Sequence, residues 1–405
     1  MNVACSNKGS VVSEIARPEL APLFEPIELP GGLRLKNRIC MPGLTRCRAH
    51  IDGTPTDLMA DYYSQRADAG LIITESCPVS AQGRCFMFSP GMYTTEHAIA
   101  WRKVTDAVHG NGGKVVLQMN HTGRASNLQF LSRPISPLAP SAIQIPRNSR
   151  KITLNAPRVT PYDVPRAIET EEIALIVDEF RRATMMADFA GFDGVQIHAD
   201  SGYLIHQFLS TNVNKREDRY GGSVENRARF LLEILDACVG VKGPEYVSVK
   251  LTPGYDVHEI EEDDSRALYS YIIGELNKRE GLSFLQLYMQ DLAESDVYSM
   301  IRKSFNGVIL SEGSLKATAY AKMIDEGLCG MISFGRAYIA NPDLATRLKV
   351  GAPLSQPDYM SFYSQDATGY TDYPFWDPDN PDESVVSFYD EYDDGNKMQK
   401  PLNIL

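Results

Sequence analysis

The sequence predicts an α/β fold built as a single (β/α)8 TIM barrel. Eight short apolar runs alternate with eight longer amphipathic ones, the pattern of a parallel sheet. The short runs are rich in Val, Ile and Leu without clean in–out alternation, as expected of strands covered on both faces. Eight such units close most naturally on themselves.

The elements follow in order. Residues 1–22 read as a flexible extension, and Met1–Ser10 has no apolar core of the signal-peptide kind. Ile27–Leu29 and Leu33–Leu35 flank Pro30-Gly31-Gly32, which predicts a hairpin capping the bottom of the barrel. The eight strands are expected at Arg38–Met41, Leu71–Thr74, Lys114–Met119, Gly194–His198, Tyr246–Leu251, Phe284–Tyr288, Gly307–Leu310 and Gly330–Phe334. Helices are expected at Asp57–Asp68 after Thr56, Glu96–His109 after Thr94-Thr95, Glu171–Ala190 after Thr170, and Val224–Val239 between Ser223 and Gly240. Asp264–Asn277, Ala293–Lys303, Ala317–Glu326 and Pro342–Val350 complete the set, with Asn341-Pro342 as cap and first turn. The long, Pro-rich stretch Thr122–Ile168 leaves the third strand on the side where barrels carry their active sites, and reads as a lid. The barrel domain is expected to span 23–376.

Composition narrows the function. The chain has 405 residues, 43% of them apolar and 23% charged, which excludes a disordered or coiled-coil protein. No run of about 18 uncharged apolar residues occurs, so no membrane span is expected. The net charge is −12, and residues 377–405 carry −6 of it, eight carboxylates against two lysines. That tail reads as a solvated acidic extension. No basic stripe offers a surface to nucleic acid or to an anionic membrane. Seven cysteines at irregular spacing, with no C-x-x-C, imply neither a disulfide framework nor a zinc site. No metal is expected, and the location expected is the cytoplasm.

Chemistry in such a barrel sits at the C-terminal ends of the strands. Strands seven and eight end in Gly313-Ser314 and Gly335-Arg336. Glycine turns opening onto helices, with an Arg beside them, form an anion site, and this is where barrels often hold phosphate. His198 and Tyr203 close strand four: an imidazole can donate to a developing oxyanion and a phenol can deliver a proton. Gln118 offers an amide that donates and accepts at once, as a heterocycle with alternating N–H and C=O requires. Lys250, deep in the barrel, needs an anionic or electron-rich partner, or else acts as a depressed-pKa nucleophile.

The chain also carries long ordered phrases: LFEPIEL, LKNRI, LTRCRA, DGTPTDLMADYYSQRADAGLIITES, GFDGVQIH, GYLIHQFLS, NKREDRYGGSVENRARFLLE, FGRAYIANPDLATRL and GYTDYPF. In these it resembles the Old Yellow Enzyme family of FMN-dependent ene reductases, from about Leu23 to Phe375. The resemblance implies FMN across the barrel mouth. Thr45 would bond the flavin's carbonyl edge, Ser76 would touch the ring system, Gln118 would pair with the pyrimidine edge, and Lys250 would face the N1–C2 edge. Gly313, Ser314, Gly335 and Arg336 would hold the phosphate. It further implies a ping-pong reaction in which NADPH or NADH reduces the flavin and an electron-poor alkene then takes its place. His198 would bind the substrate's carbonyl oxygen, Tyr203 would protonate the α-carbon, and Tyr370 would border the substrate pocket. A small-molecule substrate and a monomer or homodimer go with this.

Three positions depart from the family's pattern. Ser201 stands where the family has His or Asn, and its hydroxyl is shorter. Lys250 stands in place of an Arg, a point charge for a planar fork. Asn120 stands where an aromatic is usual, which makes the pocket roomier and more polar. Two alternatives remain open at this level: a flavin-binding protein with little turnover, and a Schiff-base barrel lyase using Lys250.

Overall fold

A computed structural model describes residues 15–128, 136–146, 162–254, 257–288, 296–313 and 316–379. Eight parallel strands form its centre: β1 (Ile39–Met41), β2 (Leu71–Ile73), β3 (Val115–Asn120), β4 (Gly194–His198), β5 (Val247–Leu251), β6 (Leu285–Tyr288), β7 (Ile309–Glu312) and β8 (Met331–Ser333). Each pairs with the next in chain order, Ser333 of β8 lies opposite Cys40 of β1, and Ile72 of β2 lies opposite Val115 of β3. The sheet is therefore a closed barrel, the (β/α)8 fold.

Alternation along each strand divides the barrel's interior by height. Its lower layer is apolar: Cys40, Leu71, Ile73, Val116, Phe284, Leu310 and Met331 form one cluster with Leu29 and Leu35. Those two leucines belong to the antiparallel hairpin of Ile27–Leu29 and Leu33–Leu35, which plugs the bottom. Two residues further along the strands the inward positions turn polar, with Gln118, Gln196 and Gln286. Above them come Asn120, His198, Lys250 and Glu312, all at or near the C-terminal ends. The alternate residues Ile39, Leu117, Val195, Val249, Leu287 and Ile332 face outward into the larger core under the helices.

Several boundaries differ from expectation for identifiable reasons. Strand seven runs Ile309–Glu312 and not Gly307–Leu310, which brings Glu312 into the barrel. The helix from Val224 passes through Gly240 and stops after Lys242, where Gly243 takes φ +97° and Pro244 follows. The helix Thr170–Phe189 is capped by Glu169, in a reciprocal pair with Glu172, and not by Thr170. Asn341 caps no helix start: its amide bonds Ala337 O, Ser355 O and Ser355 N, and the last helix begins at Leu344. A helix over Gly335–Ala340, opening directly from β8, was not anticipated.

The packed chain begins earlier than residue 23. Ala16 N donates to Lys349 O, and Leu20 is buried beneath the helix Ala21–Phe24. In the long segment after β3, Leu138–Ala139 pairs with Arg166–Ala167, and the buried Arg124 donates to the carbonyls of Ile143 and His258. Residues 129–135 and 147–161 of that expected lid, and 380–405 of the acidic tail, lie outside the described residues. Among the described residues, no helix is long and apolar enough to cross a membrane.

Candidate active site

A chain of side chains crosses the barrel interior. Gln118 and Gln196 are register partners on β3 and β4, and Gln118 Nε2 donates to Gln196 Oε1 at 2.8 Å. Gln196 Nε2 donates to Gln286 Oε1 at 2.8 Å, and Gln286 Nε2 to Glu312 Oε2 at 2.6 Å. The same carboxylate oxygen lies 2.8 Å from Lys250 Nζ, which is also 3.4 Å from Asp200 Oδ2. Asp200 Oδ1 touches His198 Nε2, and His198 Nδ1 lies 2.9 Å from Ser76 Oγ. Lys250 and His198 are themselves register partners on β5 and β4.

This network sets the charges. Burial works against the ammonium of Lys250, but Asp200 and Glu312 hold it above its ordinary range. Burial likewise works against the Asp200 carboxylate, and His198 and Lys250 outweigh it, holding Asp200 well below the usual carboxylate range. A Schiff-base nucleophile must be a neutral amine, so the lyase reading of Lys250 falls. Asp200 and Glu312 were missed in the sequence, as were Gln196 and Gln286. The available signal was the period of two, which places 196, 286 and 312 on the same inward face as 118, 198 and 250.

Tyr203 follows the β4 end through a tight turn. Ser201 adopts φ +56°, and Gly202 takes φ +68°, where an added Cβ would stand 2.7 Å from Val257 O. Ser201's carbonyl meets His258 Nδ1 at 2.8 Å, and Gly202 N donates to His206 Nδ1. The turn sets the Tyr203 ring edge-on to His198, with centroids 5.1 Å apart, and its hydroxyl 3.8 Å from Cys85 Sγ. Burial, with Cys85 beside it, pushes the phenol well above its ordinary pKa, so it stays protonated.

The remaining expected residues are placed as follows. Asn120 ends β3, buried, and its Oδ1 has no partner among the described residues. Thr45 is half-buried in the run that follows β1. Gly313 and Gly335–Arg336 follow β7 and β8, which pair as neighbours through Glu312 and Ser333. Ser314 lies outside the described residues. Tyr370 is fully buried, stacked 3.9 Å from Tyr62, with the Arg48 guanidinium 4.5 Å from its ring centre, and its hydroxyl has no hydrogen-bond partner among the described residues. The buried pair Arg46 and Arg48 beside it draws in the carbonyls of Ser361, Phe362, Thr368 and Gly369.

The floor of the mouth fits a planar heterocycle. At Gly43 an added Cβ would stand 2.7 Å from Gln118 Oε1 and 2.8 Å from Thr74 O, so the floor beside that amide accepts no side chain. Asn120 Oδ1 and the Lys250 ammonium supply further polar contacts around it.

The family profile described as NADH:flavin oxidoreductase / NADH oxidase matches residues 22–355. The chain is 39% identical over 356 residues to a "Probable flavin mononucleotide-dependent alkene reductase" of Leishmania infantum, covering 86% of this chain and 96% of that one. It is 37% identical over 373 residues to 12-oxophytodienoate reductase 1 of Oryza sativa subsp. japonica, covering 90% and 95%. Morphinone reductase in complex with tetrahydroNAD superposes with a TM-score of 0.84 at 39% identity, over 88% of this chain and 98% of that one. The old yellow enzyme homologue from Zymomonas mobilis gives 0.83 at 36%, over 87% and 99%. The chain belongs to the NADH:flavin oxidoreductase / NADH oxidase family, the Old Yellow Enzyme family of FMN-dependent oxidoreductases.

Proposed function

We propose that this protein is an ene reductase that takes hydride from NADPH or NADH and reduces the activated C=C bond of α,β-unsaturated carbonyl compounds. The observation that carries the reading is the edge-to-face pair of His198 and Tyr203 at 5.1 Å in the same mouth as Lys250. Bound FMN supplies the hydride chemistry, and the chain's residues do the rest. Gln118, Lys250, Thr45 and Ser76 would hold the ring system, and Gly313, Ser314, Gly335 and Arg336 the phosphate. His198, with Asn120 and Ser201 nearby, binds and polarises the substrate's carbonyl. Tyr203, neutral because it is buried, delivers its hydroxyl proton to the α-carbon. The protein would act in the cytoplasm as a monomer or homodimer, needing no metal, nucleic-acid or membrane partner.

Anaerobic titration tests this. NADPH or NADH should bleach the flavin of the purified protein, and 2-cyclohexenone should then restore it with formation of cyclohexanone. A flavin that bleaches but is not reoxidised by any enone, maleimide or nitroalkene would favour the binding protein of little turnover.

A further inference from the structure

The turn that delivers Tyr203 is tied down largely by its own surroundings. Tyr203 N donates to Asp200 O, Gly202 N donates to His206 Nδ1, and Gly202 O accepts from Gln207 Nε2 at 2.8 Å. His206 and Gln207 belong to the helix Leu204–Leu209, which the turn itself opens. Ser201 O is held differently, from the loop that follows β5: His258 Nδ1 lies 2.8 Å from it. A carbonyl only accepts, so Nδ1 carries the hydrogen of this bond. The other ring nitrogen, Nε2, meets the Tyr162 hydroxyl at 3.0 Å, at the point where the long segment after β3 returns to the barrel.

The two segments meet closely and in an unusual backbone conformation. An added Cβ at Gly202 would stand 2.8 Å from His258 Cβ and 2.9 Å from His258 Nδ1. Ser201, His258 and Glu259 adopt φ of +56°, +55° and +57°; among the described residues Cys47 is the one other non-glycine residue with positive φ. Such conformations cost free energy and persist where the surroundings impose them. Arg124 helps to impose this one: its buried guanidinium donates to His258 O at 2.7 Å and to Ile143 O at 3.2 Å. The His258 ring in turn lies nearly parallel to that of Tyr203, at 24° with centroids 6.1 Å apart.

We propose that His258 is a positioning residue for proton delivery, fixing the Tyr203 hydroxyl through its bond to Ser201 O. The proposal rests on the reading of Tyr203 as the proton donor. His258 itself gives up no proton; the one added to carbon leaves the Tyr203 hydroxyl. The demand on position is sharp, because a donor must lie within hydrogen-bond reach of the atom it protonates. A misplacement of about 1 Å can cost on the order of 100-fold in rate. Flavin reduction by nicotinamide and reoxidation by a quinone need no proton on carbon, so the clamp bears on one half-reaction alone.

Two substitutions separate the roles of the ring nitrogens. His258→Asn keeps an N–H near the place of Nδ1 and suits the left-handed backbone. His258→Gln reaches the place of Nε2 and leaves Ser201 O without this donor. Stopped-flow kinetics of the FMN-loaded proteins decide between them. In His258→Gln, reoxidation by 2-cyclohexenone should slow by about 10- to 100-fold. Its reduction by NADPH or NADH, its reoxidation by a quinone and its enone affinity should stay near the wild-type values. His258→Asn should return the enone step to near the wild-type rate. Enone reoxidation at the wild-type rate in His258→Gln, equal loss with enone and quinone, or an enone step as slow in His258→Asn as in His258→Gln overturns the proposal. Should His258→Gln not load FMN, His258→Ala, which removes both contacts, takes its place with the same expected loss. If the wild type itself is not reoxidised by an enone, or Tyr203→Phe is as fast as the wild type, the functional reading fails first and the proposal fails with it.

Discussion

Lys250 Nζ lies 2.8 Å from Glu312 Oε2, and the two charges meet over Gln286, whose amide donates to the same oxygen. The strands β5 and β7 flank β6, so an ion pair spans three strands at the level where the barrel opens. With Asp200 on its other side, the lysine faces two carboxylates. The cation expected to favour reduced flavin is therefore offset, and its effect depends on residues that the family resemblance did not single out.

Glu312→Gln should raise the flavin's midpoint potential. Removing the carboxylate unmasks Lys250, and one unmasked charge at an effective dielectric near 20 contributes on the order of 2 kcal/mol to a group it faces. For a two-electron couple that corresponds to roughly 40 mV. Spectroelectrochemistry checks it; a potential unchanged or lower places Lys250 away from the flavin.

Lys250→Met should destabilise the protein, and most at neutral pH. It strands the buried Asp200 carboxylate and the partly exposed Glu312, a loss of about 3–5 kcal/mol. Asp200 has a depressed folded-state pKa, so in the wild type its contribution is present above the ordinary carboxylate range, about pH 4, and is lost as pH falls further. In Lys250→Met that pKa rises, so the gap in Tm from wild type should be widest near pH 7 and shrink toward pH 4. A gap independent of pH would mean that packing alone is lost.

Arg336→Ala should release FMN. A charge-assisted bond to a phosphate is worth about 1.5–3 kcal/mol, or roughly ten- to a hundredfold in affinity. Flavin retention after dialysis, equal in wild type and variant, would remove Arg336 from the phosphate site.

The barrel was legible because its outward strand faces and its helix caps are written locally, in apolar runs and in Thr94 or Ser223 ahead of their helices. Boundaries slipped where tertiary contacts override local signals, as at Gly240, where the helix continues to the left-handed Gly243. In the site, His198, Lys250 and Gln118 could be read from strand ends, but their partners could not. Asp200 lies in a loop, and Glu312 lay beyond the expected end of strand seven. Nor does the motif around Tyr370 record the two buried arginines that pack against its ring.

The division of labour between His198 and Tyr203 is tested most directly by stopped-flow kinetics of Tyr203→Phe. The flavin should still be reduced by nicotinamide at nearly the wild-type rate. Reoxidation by an enone, which needs a proton on carbon, should slow by about 10²–10⁴-fold, while reoxidation by a quinone, which does not, should persist. Enone reoxidation at the wild-type rate, or equal loss with enone and quinone, would contradict Tyr203 as the proton donor and pass that role to His206 or a water.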